Sequence, residues 1–268
     1  MIGFRPIGTR ASVDQCPGEQ HEHMTSTSSY QVVRFGDVPW ERRTEDNWPP
    51  LVKRMHKDHD LDLSMNIVWY GRGVVEPRHV HDATHATWIL VGSAEMDGQR
   101  IGPGDLVFGP GRLPHGPLTY EMGCLLFGSL LGSTIHTAVG DEHRGPATEG
   151  IAPHLATSTD KEWGAPDPSA GGTESSWACQ TKVVVRDTDR HYVASLLRWP
   201  AGSTIPGHAH AGSHVGLLVA GRAVVDGHTL GPWDLLYAPG GISHGGIEFP
   251  EDCTMIFNTF GDQAPIRT

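Results

Sequence analysis

Histidine is the residue type in this sequence with the clearest capacity for chemistry. The chain has 268 residues, and eight of its 17 histidines form two sets with the same internal spacing. Each set reads H-x-H-x-x-x-H and has a fourth histidine thirty residues further on, and the second set follows the first at a constant distance of 129 residues. Neutral imidazoles that converge suit a divalent transition metal such as Fe, Mn, Ni, Cu or Zn, whereas Ca and Mg prefer oxygen ligands. The predicted metal ligands are His79, His81, His85, His115, His208, His210, His214 and His244.

Strands and turns are the elements that must position these histidines. A strand places alternate side chains on one face, so the H-x-H spacing directs two imidazoles to the same side. From about Leu61 the chain consists of short apolar runs, such as ATWILVG and CLLFGSLLG, which end at Gly, Pro or Asp. Helical periodicity is weak throughout, and each half is therefore predicted to be a compact antiparallel β-barrel or sandwich.

An internal duplication sets the domain organisation. Residues 73–127 and 202–256 align without a gap and share 18 identical residues in 55 positions, where average residue usage would give about three by chance. Most of the matched residues form turns, such as Asp97-Gly98 and Asp226-Gly227. The predicted units are a polar N-terminal arm at 1–45, a first barrel at 46–139, a linker at 140–178 and a second barrel at 179–268.

Two pairs of segments carry a resemblance to a known family. GVVEPRHVHDATHATWILVG with GPGDLVFGPGRLPH, and GSTIPGHAHAGSHVGLLVAG with GPWDLLYAPGGISH, resemble the two conserved motifs of the cupin superfamily. The first motif is a glycine, five residues, HxH, three or four residues to an acidic ligand and six more to a glycine, and the second is G-x5-P-x-G-x2-H. The resemblance implies an all-β bicupin, with two double-stranded β-helix (jelly-roll) barrels in one chain.

The sequence departs from these motifs at two kinds of position. His85 and His214 stand where the family has a glutamate ligand, and Arg112 and Trp233 stand where the second motif has glycine. Four neutral ligands leave the full charge of a divalent metal, which favours an anionic chelating substrate. The missing glutamate disfavours an activity like that of oxalate decarboxylase. The chain more closely resembles the all-histidine cupin dioxygenases that cleave diketones and hydroxyacetophenones.

The predicted function is therefore that of a metal-dependent oxidoreductase. The expectation is a non-haem Fe(II) dioxygenase that cleaves a C–C bond in a small enolisable carbonyl compound with O2. Two alternatives stay open: an isomerase, lyase or hydrolase that uses the metal as a Lewis acid without O2, and a non-enzymatic small-molecule-binding protein. The sequence does not decide whether one barrel or both are catalytic.

Four further residues are weaker catalytic candidates. Arg78 and Arg112 flank the ligands and would clamp a substrate carboxylate, but solvated loop cations are the simpler interpretation. Glu121 and Glu248 follow the fourth ligands and would act as acid or base groups, or else as solvated residues at strand ends.

Composition excludes several other classes of function. The net charge of −11 disfavours nucleic acid as a partner. The four cysteines form no CxxC pair, which disfavours a thiolate zinc site and is consistent with a cytoplasmic location. No apolar run has the length of a membrane-spanning helix, so no membrane partner is expected. Association into a homo-oligomer stays open.

Overall fold

The computed structural model describes residues 29–43, 50–133, 136–143, 145, 152–167, 177–261 and 265–266, which form strands and turns. Most of the predicted N-terminal arm lies outside these ranges. The first fourteen strands are β1 (Gln31–Val33), β2 (Glu41–Arg42), β3 (Leu51–Asp58), β4 (Leu63–Tyr70), β5 (Val74–Glu76), β6 (His79–His81), β7 (Thr84–Gly92), β8 (Ala94–Met96), β9 (Gln99–Ile101), β10 (Leu106–Gly109), β11 (Leu118–Tyr120), β12 (Cys124–Leu131), β13 (His136–Ala138) and β14 (His154–Ala156).

Eleven further strands follow in the second half of the chain. They are β15 (Gln180–Asp187), β16 (Tyr192–Trp199), β17 (Ser203–Ile205), β18 (Ala209–His210), β19 (Ser213–Ala220), β20 (Ala223–Val225), β21 (His228–Leu230), β22 (Leu235–Ala238), β23 (Ile247–Phe249), β24 (Cys253–Phe260) and β25 (Pro265–Ile266). Within the described ranges there is no helix with the length and apolar character to cross a membrane.

The strands form two barrels of the same design, which confirms the predicted all-β fold. Barrel 1 has a large sheet in the order β14-β10-β7-β12-β4-β3-β2, a smaller sheet β5-β11-β8-β9 and the pair β13-β6. Barrel 2 repeats this plan with the large sheet β1-β22-β19-β24-β16-β15, the smaller sheet β17-β23-β20-β21 and the pair β18-β25. All of the pairings are antiparallel.

Each barrel has an edge strand from outside its own run of strands. β1 precedes barrel 1 in the sequence but extends barrel 2, and β14 precedes barrel 2 but extends barrel 1. β1, from the predicted arm, pairs with β22 of barrel 2, and Gln31 lies opposite Tyr237. β14, from the predicted linker, pairs with β10 of barrel 1, and Val107 lies opposite Leu155. The predicted arm and the predicted linker therefore each contribute an edge strand to a large sheet. The predicted domain limits themselves stay predictions.

The two large sheets pack against each other around a shared core. One cluster of buried apolar residues draws on both barrels, including Trp88 from barrel 1 and Tyr237 from barrel 2. At its centre the Trp88 Nε1–H donates to Asn258 Oδ1 at 3.0 Å, and Asn258 Nδ2 donates to Ser129 Oγ at 2.8 Å. Ser129 and Asn258 occupy matched positions 129 residues apart, so their contact marks an approximate twofold axis between the barrels.

The duplication extends beyond the aligned motifs into the strands before them. A β-bulge interrupts β3 between Arg54 and His56, and a bulge interrupts β15 between Val183 and Val185. These irregularities lie 129 residues apart, like the histidines. Residue-by-residue comparison of the barrels is therefore valid from β3 and β15 onward.

The two motif positions that lack glycine keep the backbone conformation of glycine. Arg112 has φ 67° and Trp233 has φ 72°, both in the left-handed region that L residues adopt at a cost. Gly241, which matches Arg112 in the other barrel, has φ 79°. The turn geometry is thus retained although the side chain has changed.

Candidate metal centres

The four predicted ligands of barrel 1 come from three places in the fold. His79 and His81 lie on β6, His85 lies on β7, and His115 lies between β10 and β11. The backbones of His79 and His115 join in a bridge, with N–O distances of 3.0 and 2.9 Å between their amide and carbonyl groups. The ring centroids are 4.4 Å apart for His79 and His115, 4.7 Å for His79 and His81, and 4.6 Å for His81 and His85. The structure therefore brings all four rings together.

Three of these rings form a tight cluster, and the fourth stands beside it. One ring nitrogen each of His79, His81 and His115 lies within 4.8 Å of the others. The His85 ring stands next to this cluster, where its Nδ1 lies 3.2 Å from Thr87 Oγ1. Its Nε2 packs over Gly109. A Cβ added to that glycine would lie only 2.2 Å from His85 Nε2, so the ring occupies space that a side chain would fill. A three-histidine site with an adjacent imidazole is the arrangement present.

Backbone carbonyls orient the ligand rings. His79 Nδ1 donates to Pro77 O at 2.8 Å, and His115 Nδ1 lies 3.3 Å from Leu113 O. Because a carbonyl oxygen only accepts, the ring nitrogen in each contact carries the hydrogen, which leaves Nε2 with its lone pair. This is the usual arrangement of a histidine that ligates a metal through Nε2.

Barrel 2 repeats this geometry. The backbones of His208 and His244 form the same bridge, and His208 Nδ1 donates to Pro206 O at 2.9 Å. His208, His210 and His244 form the second cluster within 4.8 Å. His214 stands beside them with its ring centroid 4.3 Å from that of His210.

Burial favours the neutral form of four of these imidazoles, those of His115, His210, His214 and His244. Loss of solvent, together with the neighbouring histidines, lowers the pKa of His210 to about 3 and of His244 to about 2. The pKa of His214 is also far below its usual value, and burial lowers the pKa of His115 in barrel 1 to about 4. In the described part of the chain, neither ring nitrogen of His210 or His244 has a hydrogen-bond partner. Buried neutral imidazoles whose nitrogen lone pairs are available for coordination fit a divalent cation.

The barrel-1 histidines open into a cavity of about 340 Å³. One wall is apolar and includes Ile89, Val107 and Leu126. Polar and ionisable side chains form the rest of the lining, namely Arg43, Arg54, His56, Lys57, Ser64, Asn66, Tyr70, Glu76, Thr87 and Tyr120. Such a cavity has the size of a small-molecule site.

At the matched positions, barrel 2 carries mostly apolar residues. Gly128 of the barrel-1 cavity corresponds to Phe257, whose ring lies against His214 with a centroid distance of 5.1 Å. Gly216 corresponds to Thr87. A Cβ added to Gly216 would lie 2.9 Å from the terminal methyl of Met255, so Met255 fills the space beside this glycine. The other apolar replacements are Val183, Val185, Val193, Trp199, Ile205 and Phe249, whereas Lys57 and Asn66 correspond to the polar residues Arg186 and Ser195. The interior around the second histidine cluster is therefore packed with side chains.

Sequence reasoning missed a buried acidic group in barrel 1. Glu76 is 6% exposed, and its two carboxylate oxygens accept hydrogen bonds of 2.8 Å from the hydroxyls of Tyr70 and Tyr120. Glu76 Oε1 also lies 3.9 Å from His79 Nε2. A signal was present in the duplication, because the three positions are polar in barrel 1 and become Trp199, Ile205 and Phe249 in barrel 2.

The four weaker candidates lie away from the cavity. Arg112 is 75% exposed and faces Asp82 across 3.8 Å, and Glu121 is 71% exposed and faces Arg100 across 3.5 Å. Arg78 Nη2 contacts His143 O at 3.4 Å, and Glu248 is an exposed residue of β23. None of the four lines the barrel-1 cavity. Arg112, Glu121 and Glu248 are exposed, whereas Arg78 is half-buried, and the roles of all four stay predictions.

The structure has a cupin fold with two barrels, and the two histidine clusters suit a divalent metal. The ChrR Cupin-like domain family matches residues 172–264, which include the ligands of barrel 2. Among solved structures, a candidate dioxygenase from Nostoc punctiforme has a TM-score of 0.75 at 13% identity, covering 90% of this chain and 86% of that one.

Two further solved structures share the two-barrel plan. Oxalate decarboxylase from Bacillus subtilis has a TM-score of 0.60 at 16% identity and covers 92% of this chain and 80% of its own. AerE from Microcystis aeruginosa has a TM-score of 0.56 at 11% identity, covering 84% of this chain and 98% of its own. At these identities the likeness is one of fold.

One curated relative has a local sequence match. Dimethylsulfoniopropionate lyase DddQ from Ruegeria pomeroyi is 41% identical over 64 residues, which are 22% of this chain and 32% of the lyase. The match thus spans about a third of that enzyme. A decarboxylase, a lyase and a candidate dioxygenase are all similar to this chain, so these comparisons leave the class of reaction unsettled.

Proposed function

We propose that barrel 1 is the catalytic centre of a metal-dependent enzyme that acts on a small, anionic, chelating molecule. The observation that carries this proposal is the difference between the barrels. Both have the histidine cluster, but the one in barrel 1 opens into a polar cavity of about 340 Å³, whereas Phe257 and Met255 pack around the other. Substrate access is thus a property of barrel 1.

The residues of the cavity support an anionic substrate. Arg43, Arg54 and Lys57 line it on the side of β3. Arg54 pairs with Glu41 at 3.0 Å and Lys57 with Asp62 at 2.9 Å, and both pairs are exposed, so water screens them. Because exposed ion pairs are weak, an anionic substrate within contact distance would compete with these carboxylates for Arg54 and Lys57. The apolar wall of Ile89, Val107 and Leu126 then excludes water from the bound molecule.

The proposed reaction is oxidative C–C cleavage of an enolisable carbonyl compound. His79, His81 and His115 would hold the metal, and His85 would either complete the ligand set or adjoin it. A bound Fe(II) would supply Lewis acidity toward a chelating enolate and redox chemistry toward O2. For a 1,3-diketone, one O2 yields a carboxylic acid and a 1,2-dicarbonyl compound, so both oxygen atoms enter the products and no external reductant is needed.

A lyase that does not use O2 is the second candidate. It is favoured by the local match to a lyase and by the Glu76, Tyr70 and Tyr120 group, which places buried oxygen atoms in the cavity wall. These oxygens would bind a hydroxyl or ammonium group of a substrate. The two candidates share the metal site and differ in their need for O2.

Measurements of metal content and O2 uptake separate the candidates. The protein is purified without chelator, its metals are counted per chain, and it is reconstituted with Fe(II), Mn(II), Ni(II), Cu(II) or Zn(II). Turnover of a panel of diketones, hydroxyketones and β-substituted carboxylates is then followed with an oxygen electrode. The dioxygenase proposal requires one O2 consumed per substrate cleaved, and equal turnover in anaerobic solution would overturn it in favour of the lyase.

A further inference from the structure

The buried carboxylate of barrel 1 has no counterpart in barrel 2, although the two barrels keep the same backbone around it. Tyr70 and Tyr120 stack with ring centroids 4.3 Å apart and an interplanar angle of 5°. In barrel 2 Trp199 and Phe249 stack at 4.8 Å with the same angle of 5°. The ring pair therefore belongs to the fold, whereas the hydroxyls and the acid are additions of barrel 1.

The hydrogen bonds fit an ionised Glu76. Each carboxylate oxygen accepts from a different tyrosine at 2.8 Å, so both oxygens are satisfied by donors and neither needs a proton of its own to make a hydrogen bond. A buried carboxylate is costly unless it is hydrogen-bonded and near positive charge. Ile205 shows that this position folds with an apolar side chain, so stability of the barrel does not require the acid.

The position of the carboxylate points to the metal site. Its Oε1 lies 3.9 Å from Nε2 of His79. Nδ1 of the same ring donates to the Pro77 carbonyl, so Nε2 carries the lone pair that would bind a metal. The ligand set of barrel 1 contains only neutral imidazoles, so a negative charge here offsets part of the charge of a bound cation. In a buried site such a charge acts more strongly than it would in water.

We propose that Glu76 is a positioning residue that makes barrel 1 the tighter of the two metal sites. Tyr70 and Tyr120 hold the carboxylate beside His79, where it stabilises a divalent cation through the field at the histidine cluster. Barrel 2 has Ile205 in this place and remains an all-neutral site. This inference rests on the proposed metal binding by barrel 1 and is independent of which reaction follows.

The test is a metal titration of the apoprotein and its variants. Competition between the protein and a chromophoric chelator for Zn(II) gives the affinities of both sites, with barrel 2 as an internal reference. E76Q keeps the shape of the side chain and its capacity to bond both tyrosines, but removes the charge. We expect it to weaken one of the two sites by about 10–100-fold and leave the other unchanged.

Two further variants keep the test informative. The triple variant Y70W/E76I/Y120F copies barrel 2, whose stacked pair shows that this combination packs, and it should weaken the same site to the same extent. E76D restores the charge and should recover most of the affinity. Wild-type affinity of both sites in E76Q, or equal weakening of both, would overturn the proposal. These outcomes are read from metal binding alone. Absence of turnover would count against the proposed function but would not affect this test.

Discussion

Barrel 1 and barrel 2 have the same histidines, turns and bulges but different interiors. The His79 and His115 bridge of barrel 1 has its counterpart in the His208 and His244 bridge of barrel 2. The difference lies in the volume and polarity of the side chains around the clusters, where Gly128 in one barrel is Phe257 in the other. The duplicated barrels therefore keep the same ligands but differ in the space around them. A metal-binding motif alone does not identify a catalytic site.

Removal of one ligand from each barrel should give the largest contrast. H81A should lower kcat/KM by at least about 100-fold, because the ligand belongs to the barrel that we propose as the catalytic one. H210A, the matched change, should leave kcat/KM within a few-fold and lower Tm by several degrees, since it removes a buried metal ligand. Kinetics and thermal unfolding with Fe(II) check both, and loss of activity in H210A alone would reverse the assignment of the barrels.

Exchange of the residue that fills or opens each interior should give the next largest effect. G128F should block the barrel-1 cavity and lower kcat/KM by about 100-fold at unchanged metal content. The Cβ of residue 128 would meet only flexible side-chain atoms, at 3.3 Å from Leu130 Cδ1 and 3.7 Å from Thr87 Oγ1. The opposite change, F257A, should cost about 3–5 kcal/mol of unfolding free energy without loss of turnover. Full activity in G128F would show that substrate does not use this cavity.

Acid should destabilise the apoprotein, and barrel 2 more than barrel 1. Burial lowers the folded-state pKa of His210, His214 and His244 in barrel 2, and of His56 and His115 in barrel 1, below the unfolded value of about 6.5. The unfolded chain then binds more protons below pH 6.5, so the free energy of unfolding falls as pH decreases from 7 toward 4. Urea titrations at pH 7, 6 and 5 measure the change, and hydrogen exchange locates it. Equal loss of protection in the two barrels would contradict the asymmetry.

The smallest effect should come from the two motif positions that lack glycine. R112G should stabilise the protein by about 1 kcal/mol, because glycine adopts φ 67° without the cost paid by an L residue. W233G should show no such gain, since Trp233 packs against Phe35 with ring centroids 5.1 Å apart. Urea unfolding measures both, and R112A serves as the control that shortens the side chain but keeps the strain. A gain in R112A equal to that in R112G would rule out the backbone as the cause.

Much of the histidine arrangement could be predicted from local spacing. H-x-H on a strand fixes two rings on one face, and the constant 129-residue distance predicts a second copy of each ligand. What spacing did not predict is that His85 and His214 stand beside three-histidine clusters, because this depends on what each ring packs against. Gly109 leaves room for the His85 ring, whereas the matched residue in barrel 2 is Ala238.

The predicted arm and the predicted linker each contain a short strand that their composition does not indicate. Both segments are polar and rich in turn-forming residues, and such composition favours a connection over a strand. The short strands β1 and β14 nevertheless pair with the edges β22 and β10. Edge strands take their hydrogen bonds from the neighbouring sheet, so their own sequence needs little apolar character.

The sequence by itself determined that this protein has two β-barrels, each with four histidines at the same places. Alternation along strands and the backbone freedom of glycine are local properties, and a short window of residues encodes them. Only the tertiary structure decided that barrel 1 contains the cavity, that Glu76 lies beside His79 between two tyrosines, and that the barrels share a core. These features arise where side chains from distant strands meet, and their volumes and charges act together only after the chain has folded.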